Sequence, residues 1–145
     1  MTIREFTPAD EPQIHRIYNA SKLDELKDEG MRFTLIPLDE DQRRSRTLWE
    51  SNIYVYEQDR ILGYCALFND EVRALFVAPD SRRLGIGKLL LEYMLDRIEG
   101  KGTLYAATSN SAAISLYEHY GFRVTDTLMT DYNGVPVSAH RMEKA

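Results

Sequence analysis

The stretch Val72-Arg73-Ala74-Leu75-Phe76-Val77-Ala78-Pro79-Asp80-Ser81-Arg82-Arg83-Leu84-Gly85-Ile86-Gly87-Lys88 decides how this chain reads. Its first six residues, Val72 to Val77, are rich in β-branched and aromatic types and predict a strand buried on both faces. Pro79 ends that strand, because it cannot donate to a ladder. Downstream, Gly87, Leu90, Leu91, Met94, Leu95 and Ile98 form one apolar stripe at helical spacing. Lys88, Glu92, Asp96 and Glu99 fall outside the stripe, which predicts a helix over Leu89 to Glu99. The Arg/Gly segment is then a loop that carries the chain from a strand to a helix N-terminus. Backbone N–H groups are exposed there, and the helix dipole adds partial positive charge. Gly85 and Gly87 let an incoming group approach the backbone, and Arg82, Arg83 and Lys88 supply cations. Such a loop suits a polyanion, most simply a pyrophosphate; the alternative is an ordinary glycine-rich turn carrying surface arginines.

Neither of two familiar phosphate loops fits. A Walker loop needs four residues between its glycines and then Lys-Ser/Thr, whereas one residue separates Gly85 from Gly87 and Leu89 follows Lys88. A dinucleotide fingerprint needs a third glycine where this chain has Leu90. What remains, Arg-x-x-Gly-x-Gly opening a helix after a buried strand, resembles the acyl-CoA pyrophosphate loop of the GNAT-type N-acetyltransferases.

At 145 residues the chain reads as a single domain over 1–145 with one core. With 18 basic and 23 acidic residues, net charge −5, it has no general attraction to nucleic acid. Its one cysteine, Cys65, excludes an internal disulfide and a Cys-based zinc cluster, and in its apolar run reads as core. No metal site is expected. No signal peptide or membrane span is evident, so a cytoplasmic protein with no membrane partner is expected.

From the start, Thr2 to Phe6 predicts a strand, and Thr7-Pro8-Ala9-Asp10 begins a helix with Thr7 as N-cap. Ile14, Ile17 and Tyr18 give its inward face, and His15 reads as solvated. Lys22 to Leu38 predicts a loop with a helical piece at Leu23 to Asp28. Asp39 to Glu50 is helix-favouring, anchored by Leu48 and Trp49, with Arg43, Arg44 and Arg46 on a solvated face. Ser51 to Glu57 and Arg60 to Asn69 flank a tight turn at Gln58-Asp59. With Val72 to Val77 they predict an antiparallel meander, because connections this short exclude a parallel pair. Thr103 to Ala107 is a further strand, long enough after Val72 for a parallel crossover. Asn110 caps a short helix that Gly121 ends. Phe122 to Thr130 and Val135 to Met142 predict a closing hairpin across Tyr132-Asn133-Gly134.

Asn110, Ala113, Tyr117, Gly121 and Phe122 spell Asn-x-x-Ala-x-x-x-Tyr-x-x-x-Gly-Phe, which looks like the second signature of the GNAT superfamily. It follows the Arg82–Gly87 loop after one helix and one strand, the order usual in that family. The resemblance covers roughly Val72 to Phe122. It implies an α/β (α+β) fold: a mixed, mostly antiparallel, splayed central sheet of six to seven strands flanked by about four helices. It also implies acetyl-CoA in the cleft where the sheet opens, and a homodimer is left open.

Under that resemblance the loop residues Arg82, Arg83, Leu84, Gly85, Ile86, Gly87 and Lys88 would hold the pyrophosphate. Backbone groups of Leu75, Phe76 and Val77 would pair with the pantetheine arm as if it were another strand, with a bulge in their strand leaving those groups free. Asn110 and Ala113 would line the same cleft. Tyr117 would donate a proton to the departing thiolate, since a phenol near its ordinary pKa of ~10 stays protonated at neutral pH; packing within an amphipathic helix is its other reading. Glu71 resembles a position where family members place a water-bridged carboxylate that helps deprotonate the amine, and its other reading is a solvated turn residue. Glu57 and Tyr54 are the fallback candidates. The function implied is acetyl-CoA-dependent N-acetylation of a primary amine, small-molecule or peptide, by direct transfer in a ternary complex. The alternative is a catalytically weak acetyl-CoA-binding sensor or regulatory module. Acidic residues in the segments that shape the acceptor pocket (Asp24, Glu25, Asp28, Glu29 and Asp131) are compatible with a cationic acceptor.

Overall fold

Near-continuous burial along the middle strands, whose successive side chains point to opposite faces, explains why the chain forms a sheet with a helical layer on each face. In a computed structural model describing residues 2–145, strands β1 (Thr2–Glu5), β2 (Asn52–Gln58), β3 (Arg60–Phe68) and β4 (Glu71–Val77) precede β5 (Gly102–Ala107), β6 (Arg123–Tyr132) and β7 (Val135–Lys144). Helices α1 (Glu11–Ser21), α2 (Gln42–Trp49), α3 (Ile86–Leu95) and α4 (Ser111–His119) cover the sheet, whose order is β1-β2-β3-β4-β5-β7-β6. All neighbours are antiparallel except β4 and β5. Ile53, Val55, Tyr64, Ala66 and Phe76 face α1 and α2, packing with Ile14, Ile17, Tyr18 and Leu48. Tyr54, Tyr56, Cys65, Leu67 and Val72 face the other way, onto Ile86, Leu90, Leu91 and Met94 of α3. The fold is the mixed, mostly antiparallel α+β arrangement expected.

Several boundaries differ from the sequence expectation. Helix α3 begins at Ile86 rather than Leu89, because Gly85 takes a left-handed conformation (φ 81°) that lets the helix start immediately after it. It ends at Leu95 rather than Glu99, because the N–H groups of Glu99 and Gly100 turn aside to donate to the Asp70 carboxylate (3.3 and 3.1 Å). Helix α2 begins only at Gln42, capped by Asp41, whose side chain accepts from the Arg44 N–H at 3.2 Å. The closing strands run further than predicted, meeting in a two-residue turn where Asn133 and Gly134 both have positive φ.

Two irregularities shape the site. Between Ala66 and Leu67 of β3 the register with β4 slips, so Arg73 is an extra residue bulging from β4. On the other side, β4 pairs with β5 only at Glu71–Thr103 and Val72–Leu104. Beyond Val72 the two strands part, and β5 continues on its far edge with β7 through Ala107. The segment between α1 and α2 is tied to the β6–β7 end of the sheet, where the Tyr132 hydroxyl accepts from the Ile36 N–H at 2.8 Å.

Candidate active site

Where β4 leaves β5, its backbone has an unpartnered edge. The Ala78 N–H donates to the Leu62 carbonyl at 2.8 Å, which fixes the alternation of the β3–β4 ladder. Phe76 and Ala74 then face β3, opposite Tyr64 and Ala66, while the N–H and C=O of Leu75 and Val77 turn toward the opening. Phe76 is thus corrected: its backbone is used within the sheet, and only its side chain, 8% exposed, reaches the opening.

The opening is a cleft of about 720 Å³. One wall is Leu75 to Val77, another the start of α3, and a third the face of α4 carrying Asn110, Ala113 and Tyr117. At the α3 end, left-handed Arg83 (φ 66°) and Gly85 swing the chain round so that the helix opens onto the cleft. The first intrahelical bond runs from the Leu89 N–H to the Gly85 carbonyl (3.1 Å), leaving the amides of Ile86, Gly87 and Lys88 without helical partners. A Cβ at Gly87 would meet only the Val77 side chain, at 3.7 Å, so the protein itself has room for one. Arg83 and Lys88 line the cleft, but Leu84 does not; its side chain is 69% exposed. Arg82 spans the mouth, its Nη1 2.6 Å from Asp24 and its Nε donating to the Val77 carbonyl at 3.3 Å.

On α4, the Asn110 side chain accepts from the Ala113 N–H (3.4 Å) and so starts the helix. Tyr117 packs its ring edge-on against Phe122, with centroids 5.9 Å apart. Burial, with a smaller contribution from the negative Glu25, pushes its phenol well above the ordinary value, so it remains a proton donor. Tyr120 points elsewhere, donating to Glu92 on α3 at 2.7 Å.

Glu71 is not brought to this cleft. Its carboxylate accepts from Arg73 Nε at 3.1 Å, and it is not among the residues lining the three cavities described. Tyr54 is likewise displaced: its ring packs edge-on against Tyr93 of α3, with centroids 5.0 Å apart, at the opposite side of β3. Glu57 pairs with Arg4 of β1 at 2.9 Å. Cys65 is fully buried, and burial pushes its thiol up to about 12.

A second cavity, of about 480 Å³, adjoins the cleft and shares Glu25 and Phe76 with it. Its floor includes Tyr64, Ala74 and Phe76, its helical wall Tyr18, Leu38 and Leu48, and its rim Lys22, Arg43, Arg44 and Arg73. The hydroxyls of Tyr18 and Tyr64 are buried without a hydrogen-bond partner. Burial raises both phenols, and the nearby Glu25 adds to the shift. Arg44 is not on a solvated face, as the sequence suggested. It pairs with Asp41 (3.1 Å), donates to the Asp131 carbonyl (3.0 Å) and covers the Tyr132 ring at 4.9 Å. Sequence reasoning missed Tyr18, Tyr64 and Arg44 as site residues, and named Glu25 only among five acidic residues compatible with a cationic acceptor. Their only local signals were an inward-facing tyrosine and a helix too basic on one side. Among the described residues there is no group of three or more His, Cys, Asp or Glu side chains that could hold a metal, and no helix is long and apolar enough to cross a membrane.

The model of the acetyltransferase (GNAT) domain family matches residues 49–124. A curated relative, the peptidyl-lysine N-acetyltransferase YjaB of Salmonella typhimurium, is 36% identical over 89 residues, covering 61% of this chain and 59% of that protein. The chain thus spans less than two thirds of that relative's length. Among solved structures, a GCN5-related N-acetyltransferase from Rhodopseudomonas palustris superposes with a TM-score of 0.81 at 16% identity, over 99% of this chain and 94% of that one. YncA from Salmonella typhimurium, solved with its cofactor acetyl-CoA, superposes with a TM-score of 0.73 at 23% identity, over 99% and 92% of the two chains.

Proposed function

This chain belongs to the GNAT acetyltransferase domain family, and we propose that it is an N-acetyltransferase moving the acetyl group of acetyl-CoA directly to a primary amine in a ternary complex. The observation that carries the reading is the open edge of β4. The N–H and C=O of Leu75 and Val77, which have no strand partner on this edge, match the amides of a pantetheine arm laid alongside as an extra strand; only the Val77 carbonyl is engaged, by the side chains of Arg82 and Ser21. At the end of that edge, the unpartnered amides of Ile86, Gly87 and Lys88 and the positive end of α3 suit the pyrophosphate. Arg83 and Lys88 add charge there. The cofactor must take the Val77 carbonyl from Arg82, which frees the Nε of that guanidinium for a phosphate oxygen while its Nη1 stays on Asp24.

In the reaction, the amine nitrogen forms a bond to the thioester carbonyl carbon, and the carbon–sulfur bond breaks. The departing thiolate takes the Tyr117 phenolic proton, which the phenol regains from solvent. The amine, with an ordinary pKa near ~10.4 for a lysine, loses a proton before attack and another afterwards. Glu25 stands where the two cavities meet and is the carboxylate that holds the incoming ammonium; the protons leave through the open cleft.

The test is calorimetry with CoA on the wild type and on Gly87→Val, followed by thiol release from acetyl-CoA across an amine panel. A side chain at Gly87 fills the space needed by the phosphate while meeting the protein only at ordinary contact distance. CoA affinity should therefore fall at least about tenfold with little change in Tm. A wild type that ignores CoA, or a variant that binds it equally well, overturns the assignment. Binding without turnover on any amine would leave a cofactor sensor.

A further inference from the structure

We propose that the acetyl acceptor is a small amine carrying a carboxylate, an amino acid or short amino-acid derivative, seated in the second cavity with its ammonium at Glu25 and its carboxylate among the rim arginines. The inference rests on reading the β4 edge as the acetyl-CoA site. It follows from how the cavity distributes its polar groups. The cavity's 480 Å³ is of small-molecule size. It touches the cofactor cleft through Glu25 and Phe76, so an amine must arrive at that junction to meet a thioester. Glu25 is the one carboxylate lining the cavity, against Lys22, Arg43, Arg44 and Arg73. Its Oε2 accepts from Lys22 Nζ at 2.8 Å, so the incoming ammonium would share that carboxylate with Lys22 through the other oxygen.

The counter-charges of the arginines stand behind them, outside the cavity. Arg44 Nη1 pairs with Asp41 at 3.1 Å, and Arg73 pairs with Glu50 at 2.5 Å and Glu71 at 3.1 Å. Arg44 Nε and Arg73 Nη2 have no acceptor among the described residues. Arg43 is looser still, with a carboxylate, Asp131, no nearer than 3.7 Å. The same cavity is lined by two more polar groups without a partner. The Tyr64 hydroxyl (residue 0% exposed) and the Tyr18 hydroxyl (4%) are buried against the cavity with no partner, although a buried polar group left unpaired is costly.

A cavity lined by a single carboxylate and a donor-rich rim is complementary to a molecule that carries both an ammonium and an anion. The planar fork of arginine suits a carboxylate, and because Asp41 already engages Arg44 and Glu50 and Glu71 engage Arg73, Arg43, with its carboxylate no nearer than 3.7 Å, is the guanidinium placed to take one. A polyamine or an aminoglycoside would set its further ammonium groups against Arg43, Arg44 and Arg73. The acidic residues that suggested a cationic acceptor from the sequence lie elsewhere, apart from Glu25. Asp24 pairs with Arg82, Glu29 bonds Ser109, and Asp131 lies behind Arg43.

The test is thiol release at saturating acetyl-CoA with matched amines: L-amino acids and dipeptides, their carboxamides, spermidine and kanamycin. For at least one carboxylated amine, kcat/KM should exceed that of its carboxamide by about tenfold or more, the effect of a hydrogen bond to a charged group. Arg43→Gln should collapse that ratio through the amine KM, leaving the acetyl-CoA KM and Tm unchanged, since Arg43 is 61% exposed. Carboxamide or spermidine used as well as any carboxylated amine, or an unchanged ratio in Arg43→Gln, overturns the proposal. If no amine is consumed, titration of the CoA-loaded protein with the same panel reads the same preference, and absence of binding or of preference overturns it. Failure to bind CoA at all overturns the acetyl-CoA reading and this proposal together, whereas CoA binding with the wrong amine preference overturns this proposal alone.

Discussion

Tyr117 is recognisable from its spacing, seven residues after Asn110 and so two turns along the same helical face. In the structure both line the cleft. Because burial holds its phenol above the ordinary range, Tyr117 stays protonated beyond pH 10. The wild-type rate should therefore climb with pH as the amine deprotonates, with no falling limb from Tyr117 below pH ~10. Tyr117→Phe should lower kcat by about 10²–10⁴-fold, the usual contribution of a positioned general acid, with acetyl-CoA affinity held. Tyr120→Phe, which loses only a bond to Glu92, should stay within a few-fold. Near-full turnover in Tyr117→Phe would return that residue to packing. Glu71 shows the opposite case. Its place at the start of β4 was legible, but the direction of its carboxylate depended on Arg73 and on Glu50 of the α2 C-terminus, 21 residues upstream. Glu25, in a segment with little apolar periodicity, gave no local sign of facing three phenols.

At the scale of elements, strand, loop and helix around Gly85 were fixed by short-range rules, and the error lay in where the loop ended. Three residues assigned to it, Ile86 to Lys88, belong to α3, because the left-handed Gly85 allows the turn to tighten at once. Nothing lies within 4 Å of a Cβ built at Gly85, so substitution there costs conformational strain alone. Gly85→Ala should destabilise by about 1–2 kcal/mol, the cost of a left-handed L-residue. That is a fall in Tm of a few degrees for a chain of this size. It should also weaken CoA binding, since the amides of Ile86 to Lys88 move with the turn. An unchanged Tm in calorimetric scans would show that the loop can take another conformation. The bulge at Arg73 had one trace in the sequence, a lone charge within an otherwise apolar strand. Composition cannot say that such a residue is extra, because register belongs to two strands at once.

At the scale of the molecule, two layers of helices on a continuous sheet bury several acidic protons together. Burial raises the phenols of Tyr18, Tyr54, Tyr64 and Tyr117 and takes the Cys65 thiol up to about 12. Above their ordinary pKa values, roughly pH 8.5 to 10, the unfolded chain releases these protons while the native chain keeps them. The stability they confer is therefore complete below about pH 8.5 and is lost as pH rises through 10 toward 12. Each group that ionises only in the unfolded chain adds a slope of about 1.4 kcal/mol per pH unit. Urea unfolding at pH 8, 9.5, 10.5 and 11 should show a midpoint that falls increasingly steeply, and a flat profile would mean that these groups ionise in the native state too. By itself the sequence determined what depends on neighbours along the chain: the strand–loop–helix around Gly85, the cap at Asn110, the Asn133-Gly134 turn and the two signatures flanking β5. Those are set by periodicity, φ preferences and local hydrogen bonds, which act within a few residues. Only the tertiary structure decided the splay of β4 from β5, the free edge at Leu75 and Val77, and the meeting of Glu25, Tyr18, Tyr64 and Arg73. These depend on packing and ladder register between segments tens of residues apart, whose free energy has no counterpart in any single stretch of sequence.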